Sequence, residues 1–142
     1  MVTDSSIKAF CAEVINIGST LVPGKVFYIN EAGHIHLVEN LSEPKRKKDR
    51  QLLTPRLPAK GLSILQEWVY YYNEDTLAKI NFDGGENQSL AQIPPDSLVW
   101  IYPVFAGGNV ENTWIYYYVM KTNAPPKLYK VRSNGLENSP VL

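Results

Sequence analysis

One pattern recurs three times along the chain: Lys25-Val26-Phe27-Tyr28-Ile29-Asn30, Trp68-Val69-Tyr70-Tyr71-Tyr72-Asn73 and Trp114-Ile115-Tyr116-Tyr117-Tyr118-Val119. Each run is β-branched and aromatic, the composition that suits a pleated, half-buried surface. Tyr28, Tyr71 and Tyr117 stand 43 and 46 residues apart. A repeat of that length constrains the fold more than any single motif, because each unit must bury its apolar surface against its neighbours.

A turn and a second short strand follow each run. The turns are Glu31-Ala32-Gly33, Asn73-Glu74-Asp75 and a longer loop from Lys121 to Pro126, whose two prolines cannot donate to a ladder. The second strands are His34 to Val38, Thr76 to Phe82 and Lys127 to Val131, mostly apolar at alternate positions. Asp83-Gly84-Gly85 and Ser133-Asn134-Gly135 close two of them with residues that accept positive φ. A leading strand is expected in Ile7 to Val14, in the abbreviated Gly61 to Leu65 and in Ser97 to Tyr102. A fourth, outer strand is expected in Gln51 to Leu57 and Ser89 to Ile93, where prolines confine it to a sheet edge.

The expected fold is all-β, with three β-propeller-like blades, since four strands in 43 to 46 residues match the blade period. An unrelated sandwich or barrel is the competing reading. The chain is taken as one domain over residues 1–142, with repeats at about 5–57, 58–94 and 95–136. Three blades make half a propeller, with two raw ends. A homodimer with two-fold symmetry would complete six blades; an open half-ring is the alternative.

The bulk chemistry points away from several function classes. Fourteen basic and fourteen acidic residues give a formal net charge of zero, so no general attraction to duplex DNA or an anionic membrane is expected. Cys11 is the only cysteine, which excludes an internal disulfide or a multi-Cys zinc site, and it reads as a small buried hydrophobe. No signal-peptide pattern opens the sequence, and the expected setting is cytoplasmic or unconventionally secreted. Asn40-Leu41-Ser42 and Asn87-Gln88-Ser89 match the glycosylation sequon by chance on this reading. Catalytic signatures such as a nucleophile elbow, a P-loop or a zincin helix are absent, and Gly107-Gly108 reads as a hairpin turn.

An aromatic strand, a Gly or Asn turn and a strand ending in an Asp-Gly-Gly-like turn resemble the fungal fucose-specific lectins. The likeness runs from Ile7 to Gly135 and is clearest in Lys25 to Glu39, Leu77 to Gly85, Ser97 to Tyr102 and Trp114 to Gly135. It implies a six-bladed propeller plan with sugar pockets between adjacent blades. Shorter bacterial relatives assemble that ring from several chains. The family holds fucose with an Arg opening the second strand and a Glu about twelve residues later, beside a stacked aromatic ring. Here the Arg position carries Lys25, Trp68 and Trp114, and the Glu position carries Leu37, Lys79 and Lys130. The resemblance therefore implies the scaffold and the pocket location, without fucose specificity.

The candidate ligand-binding residues are Lys25, Trp68, Trp114, Lys79 and Lys130. An indole can stack on a sugar or another flat ligand, and an ammonium can donate to its oxygens. Packing between units and solvated surface lysines are the plainer readings of the same residues. His34 and His36 share a strand face, but no third metal ligand is evident. No metal or cofactor is expected, and Asp75, Asp83 and Glu86 read as turn chemistry. Lys45-Arg46-Lys47-Lys48-Asp49-Arg50 reads as a solvated loop, with nuclear import or phosphate contact as its functional alternatives. The sequence thus points to a lectin-like binding protein for a glycan or small molecule. The second reading is a divergent propeller that binds, or acts on, a small apolar metabolite.

Overall fold

A computed structural model describes residues 7–17, 20–39, 45, 47–54, 56–104 and 113–141. The expected Gly107-Gly108 turn lies outside the described residues. Twelve strands form three separate four-stranded antiparallel sheets, and the described residues contain no α-helix. The first sheet contains β1 (Ile7–Ile17), β2 (Thr20–Asn30), β3 (Ile35–Glu39) and β4 (Lys48–Leu53). The second contains β5 (Gly61–Leu65), β6 (Trp68–Tyr72), β7 (Thr76–Asn81) and β8 (Gln88–Gln92). The third contains β9 (Leu98–Val104), β10 (Trp114–Met120), β11 (Lys127–Arg132) and β12 (Ser139–Pro140). In each sheet the strands lie side by side in chain order.

The sheets pack face to face through the recurring rows. One core joins Phe27, Ile29, Ile35 and Leu37 of the first sheet to Val69, Tyr71, Ala78 and Ile80 of the second. The other joins Tyr70, Tyr72 and Leu77 on the opposite face of the second sheet to Val99, Ile101, Ile115, Tyr117 and Val131 of the third. Because the second sheet is covered on both faces, Val69 to Tyr72 are all buried, and β6 reads as an unbroken apolar run. Along β10, by contrast, buried and part-exposed residues alternate, as expected of a sheet covered on one side.

The repeat extends to individual hydrogen bonds. Tyr28 donates to Asp49, Tyr71 to Asn87 and Tyr117 to Asn138, so each second-strand tyrosine reaches an Asp or Asn in, or next to, its outer strand. The turns repeat as well. The side-chain oxygen of Asn30 accepts from the amides of Ala32 and His34, and that of Asn73 accepts from Asp75 and Thr76. These are Asx turns, in which a short side chain stands in for a backbone acceptor. Gly84 and Gly135 then close β7 and β11 with φ of +89° and +86°.

Two segments depart from the sequence reading. The basic run was expected as a loop, but Lys48, Asp49 and Arg50 form the start of β4. Their partners on β3 are Glu39, Val38 and Leu37, so the charges sit on an edge strand, where charge discourages further pairing. The third unit, expected to end near residue 136, carries on to β12. Cys11 is part-buried against the first core, and burial pushes its thiol up to about 12.

Two predictions follow from this packing. Gly33 has φ +82°, and a Cβ there would lie 2.3 Å from Pro58 Cβ. Gly33→Ala is expected to cost about 3 kcal/mol, from left-handed backbone strain and overpacking, read by urea unfolding. Burial also pushes the Tyr117 phenol up to about 12 from 10.0, and raises those of Tyr28, Tyr70 and Tyr71. A raised phenol stabilises the fold fully below pH 10 and loses that contribution as pH climbs towards the folded value. Urea midpoints should therefore be flat from pH 7 to 9 and fall steadily between pH 10 and 12.

Candidate ligand-binding site

Strand register makes the three units comparable position by position. Lys25 lies opposite Glu39, Trp68 opposite Asn81 and Trp114 opposite Arg132. Two residues along, Phe27 lies opposite Leu37, Tyr70 opposite Lys79 and Tyr116 opposite Lys130. On the first two sheets these side chains stand on the face turned to the next sheet, and on the third they stand on the face away from its core.

At the junction of the second and third sheets, Lys79 is only 7% exposed. Its ammonium donates to Ser133 Oγ at 3.0 Å and lies 4.2 Å from the Trp68 ring centroid. The Tyr70 hydroxyl shares a 3.1 Å hydrogen bond with the same Ser133 Oγ. A buried ammonium is tolerable only with such partners, and the indole face adds a cation–π contact. Lys79 and Trp68 thus hold two sheets together, with the cation turned inward.

At the junction of the first and second sheets, the same positions are apolar. Leu37 is fully buried, and Phe82, which follows β7 as Ser133 follows β11, packs against Phe27 with ring centroids 4.5 Å apart. Above them opens a cleft of about 380 Å³. Lys25, Glu39 and Arg50 come from the first sheet, and Glu67, Asn81 and Asp83 from the second, with Phe82 at the base. Lys25 Nζ lies 5.4 Å from the Phe82 ring centroid. Arg50 donates to the Phe82 carbonyl at 2.9 Å and lies 3.7 Å from Glu39, which fixes its guanidinium at the wall.

On the third sheet, Lys130 Nζ and the Arg132 guanidinium lie 4.6 and 4.4 Å from the Trp114 ring centroid. Among the described residues no further sheet covers this face. The structure therefore distributes the five sequence candidates over three places: Lys25 in an open cleft, Trp68 with Lys79 inside a junction, and Trp114 with Lys130 on an outer face. Glu39, Arg50, Glu67 and Phe82 were not among them. Glu39 was the most accessible from sequence, as the residue that antiparallel pairing sets opposite Lys25.

The histidines are not organised around a metal. His36 Nδ1 donates to Asp49 Oδ1 at 3.1 Å, because a carboxylate can only accept, and Nε2 then accepts from the Asn30 amide at 3.2 Å. Among the described residues no three metal-ligating side chains come together. Hydrogen bonds from the Asp96 amide and then from Lys60 at 3.1 Å hold the Glu74 carboxyl below its usual range, and those from the Thr76 hydroxyl and then from Arg56 at 2.9 Å do the same for Asp75.

Compared with known family models and with curated proteins, the chain matches none. The cleft is accordingly read from its own chemistry. Cations and carboxylates alternate around an opening with an aromatic base, which supplies both donors and acceptors at short range. Adjacent hydroxyl groups on an otherwise apolar ring need that combination.

The two junctions also predict a coupled substitution. Ser133→Phe alone should cost about 2 kcal/mol by overpacking a fully buried position and removing one hydrogen-bond partner of Lys79. The pair Lys79→Leu with Ser133→Phe, which reproduces the Leu37 and Phe82 arrangement, should recover at least half of that loss in urea unfolding.

Proposed function

We propose that this chain is a lectin-like binding protein, a half β-propeller with ligand pockets at its sheet junctions. The cleft over Phe82 carries the proposal. It lies between two sheets, and Lys25, midway along β2, stands at the position that carries the sugar-binding Arg in the resembled lectins. Its acceptors come from Glu39, Glu67 and Asp83 in place of the family's single Glu. A glycan other than one held by the usual fucose pair is the ligand that this set suits.

Completion of the ring by a second copy belongs to the same proposal. The outer face of the third sheet presents Leu98, Trp100 and Tyr102 at 54%, 42% and 54% exposure, with Val104 and Met120 beside them. In the first and second sheets the corresponding face is buried under the next sheet. The opposite end of the stack presents Phe10 at 69% exposure. Docking of one end on the other in a homodimer covers both, and apolar area of this kind drives association. The solution mass is then twice 16.0 kDa, and a mass near 16.0 kDa overturns the dimer.

A glycan array tests the ligand. Binding to at least one sugar class is expected, falling tenfold or more in Lys25→Ala and in Glu67→Gln. A blank array overturns the lectin reading. The alternative, a binder or enzyme for a small apolar metabolite, is favoured by a separate recess of about 320 Å³ between β5 and β9, lined by Leu62, Tyr72, Val99 and Ile101 among others. Thermal stabilisation by apolar small molecules after a blank array would support it.

A further inference from the structure

The second sheet lacks one ring that both of its neighbours have. In the first sheet His36 stacks on Tyr28, with centroids 4.9 Å apart and planes at 14°. In the third, Tyr129 stacks on Tyr117 at 5.3 Å and 16°. Strand register places Ala78 opposite Tyr71 at the equivalent position of the second sheet. The next strand continues the difference, because Ala78 is paired with Ser89, whereas His36 faces Gln51 and Tyr129 faces Pro140. Two small residues therefore adjoin a tyrosine where rings and larger groups stand elsewhere.

A recess of about 200 Å³ borders Tyr71, Ala78 and Ser89, rimmed by Arg56, Asn73, Thr76 and Asn87; Tyr71 and Ala78 form its buried floor, and Ser89 opens it to solvent. It is smaller than the ~300–1,000 Å³ typical of drug-sized ligand pockets, which restricts it to a single small ring. It also lies at the far end of the junction from the Lys25 cleft, since Asn73 and Thr76 flank the turn from β6 to β7 whereas Asn81 ends β7.

We propose that this recess is a second binding site, taking one hydroxylated ring of monosaccharide size in the place that the side-chain ring occupies in the neighbouring sheets. The polar rim suits such a ligand. The Asn87 oxygen is engaged by the Tyr71 hydroxyl, an arrangement that leaves the amide NH2 as the group able to donate outward. Asp75 orients Arg56 at 2.9 Å, so the guanidinium presents its remaining donors at the rim. The hydroxyls of Thr76 and Ser89 can accept from a sugar hydroxyl. The site stands on its own geometry and does not depend on the cleft at Lys25.

Free monosaccharides (a panel of neutral hexoses, deoxyhexoses and N-acetylhexosamines) provide the probe, read by saturation-transfer NMR on the full chain. At least one is expected to bind the unmodified protein and Lys25→Ala alike. Ala78→His, which installs the first sheet's own ring, is expected to lose that binding at least tenfold while keeping the far-UV circular dichroism. If Ala78→His does not fold, Arg56→Ala at the solvent-facing rim decides, with a fivefold loss expected. Unchanged binding in the folded Ala78→His protein, or in Arg56→Ala where that variant decides, overturns the site, as does no binding by any sugar of the panel. Binding lost in Lys25→Ala but kept in Ala78→His leaves the cleft standing and removes this site. The reverse pattern supports this site, and the cleft is then decided by the glycan array alone.

Discussion

The second sheet is apolar on both faces, and that constraint orders the rest of the structure. An antiparallel sheet can be stable with one wet face, so two apolar faces oblige a sheet to find cover on each side. The second sheet finds it within the chain, between the rows headed by Phe27 on one side and Ile115 on the other. On the third sheet, among the described residues, the row of Leu98, Trp100 and Tyr102 stays exposed.

The same constraint explains which parts of the fold were legible in the sequence. Rows buried between sheets need β-branched and aromatic residues at fixed spacing, so the runs around Phe27, Tyr71 and Tyr117 disclose the second strand of every sheet. Outer strands carry no such requirement. β4 opens with Lys48-Asp49-Arg50 and β12 is the dipeptide Ser139-Pro140, neither of which has a strand signature in composition. Their pairing depends on the neighbouring strand offering unpaired backbone groups, a property of the assembled sheet. The basic run looked like loop for that reason.

The candidate site was legible only in part, because side-chain roles at a junction are settled by residues far away in sequence. Lys79 and Lys130 look alike in sequence and share a register position. Lys79 is buried because Ser133, fifty-four residues on, supplies an acceptor beneath the third sheet. Lys130 lies on a face that no further sheet covers among the described residues, and its described partner is Trp114 of its own sheet. Lys25 borders a cleft because Phe82, from another sheet, fills the space beneath it. No local pattern distinguishes these three outcomes.

The junctions differ in chemistry but conserve a rule. Where the incoming residue is Phe82, the receiving sheet offers Phe27 and Leu37; where it is Ser133, it offers Tyr70 and Lys79. One set is wholly apolar and the other is hydrogen-bonded, and a mixture would leave either a polar group unsatisfied or a ring without room. Changes at a junction therefore have to be made on both sheets at once. At the junction of the first and second sheets, clefts open at the two ends, at Lys25 and Glu39 on one side and beside Ala78 and Ser89 on the other, while the middle is closed by packing.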